Sequence, residues 1–175
     1  MEQTKKYYLS PSELAILLAN GGVKRLYGIN TEKALDNKDV CIALHNLYVN
    51  KLIDNYDSES FQISKELSSI IKGIKEARYV LIVQTEGENG KYICGYLGQE
   101  ISIVSLKKSM RDKLALSRNV LESLVKELMY MCAEEKINIS INKADTGEKV
   151  EGLALSQNGE EKQIAQLIEK YCTEE

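Results

Sequence analysis

The sequence predicts an α+β fold: an antiparallel β-meander sheet with flanking helices, preceded by a winged-helix-like helical segment. Three observations carry that expectation. Apolar residues recur at helical spacing through residues 1–77. From Tyr79 the pattern shifts to the β-branched, alternating runs of strands. Short turn signals separate those runs, Asn89-Gly90 being the strongest because both residue types tolerate positive φ.

The elements follow in order. Tyr7-Tyr8-Leu9 is extended, and Ser10 is the N-cap of a first helix, with Pro11 at N1 and Glu13 placed to complete a capping box. Leu14, Ile16, Leu17 and Leu18 make that helix apolar until Asn20-Gly21-Gly22 stops it. A second helix spans Asp39 to Leu52, with Val40, Leu44, Leu47 and Tyr48 as its inward stripe. A polar turn and a short strand at Phe61-Gln62-Ile63 complete the helix–turn–wing order. A third helix, from Ser64 to Ala77, carries Leu67, Ile70, Ile71 and Ile74 on one face.

Tyr79 to Val83 reads as a central strand, Lys91 to Leu97 as its hairpin partner, and Ile101 to Val104 and Leu114 to Leu116 as the rest of the meander. A long helix then starts at Asn119 as N-cap, with Val120, Leu121, Leu124, Leu128 and Met131 inward. Ile137, Ile139 and Ile141 alternate with polar residues as a half-buried strand; Val150 to Ser156 returns, and Glu160 to Tyr171 closes as a helix. Strands followed by a helix, twice, suggest a shortened second β-hairpin–helix repeat. All of this reads as a single domain over 1–175, mainly helical over 1–77 and sheet plus two helices over 78–175.

A chain of 175 residues buries about 70% of the surface that its unfolded form exposes, so it needs no disulfide or metal staple. Twenty-six acidic against 23 basic groups give a net charge of −3, which argues against a phosphate-binding surface. The densest basic cluster is Lys107-Lys108 with Arg111 and Lys113, and it reads as a solvated turn. Cysteines at 41, 94, 132 and 172 are too dispersed for a zinc or redox pair. The charged Met1–Lys6 segment has no signal-peptide core and no run approaches a bilayer span, so the expected location is cytoplasmic.

Chemistry is sparse. His45, the single histidine, falls mid-helix with no orienting partner in view. The glycines at 87, 90, 95 and 98 form no phosphate-cradling loop. Neither a cofactor nor an enzymatic activity is expected. Tyr92 and Tyr96, four apart on one strand and so on one sheet face, fit a protein-binding surface, since tyrosine buries a ring while keeping its hydroxyl wet.

With that order in view, the chain resembles the EspG-type substrate chaperones of type VII (ESX) secretion and their relatives in Gram-positive secretion loci. The resemblance is carried by "YYLSPSELAILLA", "IALHNLYVNKLID", "FQISKELSSIIKGI", the strand "YVLIVQTE", the meander and the helix from Asn119, over about residues 7 to 135. It implies a cytosolic, non-enzymatic chaperone or adaptor that holds a helical secreted protein before export. The substrate-touching loop would be Glu86, Gly87, Glu88, Asn89 and Gly90, beside Tyr92 and Tyr96. A homodimer is a further expected assembly, and nucleic acid is not an expected partner. Those chaperones have two similar halves, whereas here the second would be a hairpin and one helix. The alternative is a winged-helix DNA-binding transcriptional regulator, against which the net charge of −2 between Lys38 and Ser64 counts.

Overall fold

The computed structural model describes residues 5–23, 27–28, 35–56, 61–86, 90–107, 113–155 and 161–173. Its elements are β1 (Lys6–Leu9), α1 (Pro11–Asn20), α2 (Asn37–Val49), β2 (Ile53–Tyr56), β3 (Phe61–Ile63) and α3 (Lys65–Glu76). Then come β4 (Tyr79–Thr85), β5 (Lys91–Leu97), β6 (Ile101–Lys107), β7 (Leu114–Asn119), α4 (Leu121–Glu134), β8 (Ile137–Lys143), β9 (Lys149–Leu155) and α5 (Glu161–Cys172). The fold is α+β with an antiparallel meander sheet, as the sequence predicts.

Local chemistry sets the helix starts. The Ser10 hydroxyl accepts the Glu13 N–H at 3.2 Å, and the Glu13 carboxylate accepts the Ser10 N–H at 2.8 Å, closing the capping box. Asp36 caps α2 by accepting the Asp39 N–H at 2.7 Å, so this helix begins before Asp39 and ends at Val49 rather than Leu52. Lys51 takes φ 56° just past its end, turning the chain into β2. The segment read as a polar turn therefore starts as a strand: Ile53 pairs with Ile63 and Tyr56 with Phe61 in a small antiparallel hairpin.

The main sheet has seven strands in the order β1-β7-β6-β5-β4-β8-β9. β4 sits between β5 and β8, pairing antiparallel with both, so the meander and the C-terminal hairpin form one sheet. One face packs on the N-terminal helices: Leu14, Leu17 and Leu18 of α1, Leu47 of α2 and Leu67, Ile70, Ile71 and Ile74 of α3 meet Val80, Cys94, Tyr96, Val104 and Leu116. The other face packs on α4 and α5, where Leu124, Leu128, Ile164 and Ile168 meet Leu81, Val83, Ile93, Ile103, Ile139 and Ile141. Each helical residue buried this way contributes roughly 1.5–3 kcal/mol.

Three expectations about the helices are corrected. Asn119 is the last residue of β7, 7% exposed, and Val120 is the N-cap of α4 without a side-chain cap bond. Val120 is consequently 57% exposed, outside the buried stripe. Tyr48 is 48% exposed, because α2 turns Ala43 and Leu47 inward instead. Among the described residues, no helix is long and apolar enough to cross a membrane.

Candidate functional site

The tyrosines singled out in β5 do not form an open surface. Tyr96 is 2% exposed, and its hydroxyl donates to the Tyr27 carbonyl at 2.9 Å. Gly28 lies so close over the same strand that a Cβ there would come within 2.7 Å of the Cys94 Sγ and 3.4 Å of the Tyr92 hydroxyl. Tyr92 is half-buried beneath it. Burial pushes the Cys94 thiol up to about 12 and raises both phenols, so all three stay protonated at neutral pH. The expectation of a partner-binding face at Tyr92 and Tyr96 is thus corrected: α1, α3 and residues 27–28 occupy that side.

The hairpin between β4 and β5 is pinned at both ends. The Glu86 N–H donates to the Lys136 carbonyl at 3.2 Å, and its carboxylate accepts from Asn138 Nδ2 at 2.9 Å and Lys136 Nζ at 3.1 Å. The Asn138 amide, followed by the Lys136 ammonium, holds the Glu86 carboxyl below its ordinary value. Gly90 is buried, and the Lys91 N–H donates to the Thr85 hydroxyl at 2.9 Å. Gly87, Glu88 and Asn89 lie outside the described residues.

Past that hairpin the sheet opens. Val83, Ile93, Ser105, Ala115 and Tyr8 are successive cross-strand partners, so they share one face. The row begins under α4, where Val83 and Ile93 are buried at 0% and 1%, and ends on β1 with Tyr8 at 55% exposure. Where α4 leaves the row uncovered there is a cleft of about 180 Å³, lined by Lys6, Tyr8, Lys91, Ile93, Lys113, Ala115 and Glu127 among others. Lys6 Nζ stands 3.9 Å from the Glu127 carboxylate. Lys91 Nζ lies 5.9 Å from the ring centre of Tyr130, itself 63% exposed. Three lysines therefore face one glutamate around an apolar floor.

Such a corner suits an apolar ligand surface that carries acidic groups. Among the described residues, no three His, Cys, Asp or Glu side chains stand together as metal ligands. His45 is exposed on α2, on the other side of the sheet. The sequence does not show the cleft because its members come from β1, β5, β6, β7 and α4. Lys113 belongs to the basic cluster that the sequence presents as a solvated turn. The chain matches no family model, and comparison with curated proteins finds no match.

Proposed function

We propose that the protein is a protein-binding module, a chaperone or adaptor that holds a helical substrate of type VII secretion at the open sheet corner. The observation that carries this reading is the row Ile93–Ser105–Ala115–Tyr8 emerging from beneath α4. An amphipathic helix laid beside α4 would extend the layer that α4 begins, its apolar side on Ala115 and Tyr8. Acidic residues along its edge would meet Lys6, Lys91 and Lys113. Exposed Tyr8 and Tyr130 are the ring-plus-hydroxyl residues that protein interfaces favour. Lys91 follows the 86–90 loop directly, so the loop implied by the resemblance adjoins the cleft in the chain.

Titration of the purified protein with a small helical export substrate tests this. Tyr8→Ala and the pair Lys91→Glu/Lys113→Glu should each weaken binding tenfold or more, on the scale of a truncated interface anchor at roughly 2 kcal/mol. Affinity indifferent to both would overturn the cleft assignment. A second reading, a winged-helix regulator, draws on the order α2–β2–β3. Its would-be recognition helix, however, turns Ile42, Tyr48 and Val49 outward where phosphate contact calls for Lys and Arg. Salt-dependent DNA binding would move the assignment there.

A further inference from the structure

The charges around the cleft are unevenly matched. Lys91 opens β5 and Lys113 directly precedes β7, and both line the cleft. Among the described residues, neither has a carboxylate within ion-pair distance. Lys6 does: its Nζ stands 3.9 Å from Glu127. Among the described residues that line the cleft, Glu127 is the one carboxylate.

Glu127 follows Leu124 by three residues and precedes Met131 by four, so it flanks the buried stripe of α4 instead of lying on its solvent side. Its side chain is 32% exposed and that of Lys6 is 42%. The contact joins α4 to β1 across the corner where the sheet opens. At 3.9 Å the two groups attract each other from beyond hydrogen-bond reach. Nothing else holds them in one geometry, so another carboxylate can take the lysine.

We propose that Glu127 holds the place of a ligand carboxylate on Lys6, and so determines how acidic a partner must be to bind. The inference rests on the cleft reading above. With the cleft empty, Glu127 offsets one of the three lysines. A ligand that brings a carboxylate to Lys6 has to displace Glu127 or stand beside it, and like charges side by side oppose binding. A partner that also meets Lys91 and Lys113 recovers the loss, whereas an apolar helix with few acidic groups does not. Selectivity of this kind comes from a repulsive element as much as from an attractive one. Exposed pairs are weak, so the effect expected on affinity is about fivefold.

Fluorescence anisotropy with two labelled synthetic peptides tests this. One is an amphipathic helix with glutamates flanking its apolar stripe; the other has glutamines in their place. Glu127→Gln should tighten the glutamate peptide about fivefold and leave the glutamine peptide unchanged. Lys6→Gln should weaken the glutamate peptide, and in that background the gain from Glu127→Gln should shrink, since the competition runs through Lys6. The midpoint of urea unfolding separates this role from a merely structural tie between α4 and β1, and it should move little in Glu127→Gln. If the wild-type chain binds the glutamate peptide and Glu127→Gln weakens it or leaves it unchanged, the proposal is overturned and the cleft reading stands. An equal gain for both peptides, or one that persists in full without Lys6, would also overturn it. Binding of neither peptide to any of these chains would overturn both readings.

Discussion

The Tyr96 hydroxyl donates to the carbonyl of Tyr27 at 2.9 Å, across 69 residues of sequence. This bond ties Tyr27 to the centre of the sheet, and it explains why a tyrosine occupies so buried a position on β5. Tyr96→Phe keeps the ring and strands the carbonyl. Stability should fall by about 1–2 kcal/mol, read from the midpoint of urea unfolding. If the cleft is the working surface, substrate affinity should not change.

Ser102 and Gly73 are a coupled pair. The buried Ser102 hydroxyl donates to the Ile70 carbonyl of α3 at 2.9 Å, and a Cβ at Gly73 would clash with that oxygen. Gly73→Ala should therefore destabilise by about 1–2 kcal/mol despite alanine's better helix propensity. In a Ser102→Ala background the same change should be neutral or stabilising, since the Ser102 Cβ stands at an ordinary 3.5 Å. A double-mutant cycle in thermal unfolding measures this coupling.

Acid should weaken the fold through three surface carboxylates. Glu66 is lowered from 4.5 by Lys5 and then Tyr7, Glu86 by Asn138 and then Lys136, and Glu151 by Tyr171 and then Lys170. A carboxyl held below its unfolded value stabilises the fold above that value and loses the contribution as pH falls through its folded value. Melting temperature should hold above pH 4.5 and drop beneath it. Glu66→Gln, Glu86→Gln and Glu151→Gln together should lower the neutral-pH plateau and flatten the drop. Each step is small, because exposed pairs are screened.

Thiol labelling should separate the cysteines. Cys41 is exposed, Cys94 and Cys132 are buried, and Cys172 is intermediate with its thiol pushed up by burial. A maleimide should modify Cys41 at once in dilute native protein. Cys94 should label at least about a thousandfold more slowly, at a rate set by opening of the fold. Mass spectrometry of quenched aliquots assigns the sites.

Much of the fold was legible because local rules and tertiary packing agree. The Ser10–Glu13 capping box, the α3 stripe of Leu67, Ile70, Ile71 and Ile74, and the alternation at Ile137, Ile139 and Ile141 all appear as their spacing predicts. Where they disagree, packing wins. Asn119 has the chemistry of a cap, yet pairing with Ile101 keeps it in β7 and passes the cap to Val120. Tyr92 and Tyr96 share a face, as the strand period requires, but periodicity does not say what lies over a face.

By itself the sequence determined the class of fold, the α1 and α3 stripes and most of those of α2 and α4, and the hairpin order of the strands. Each depends on neighbours within a few residues, where side-chain period and capping act. Only the tertiary structure decided that β1 closes the sheet beside β7 and that α4 stops short of that edge. It thereby set Lys6 and Tyr8 against Lys91 and Lys113, and turned the apolar strip of α2 outward. Those juxtapositions join residues scores of positions apart. They follow from which helix covers which part of the sheet, and that is settled by packing across the whole core.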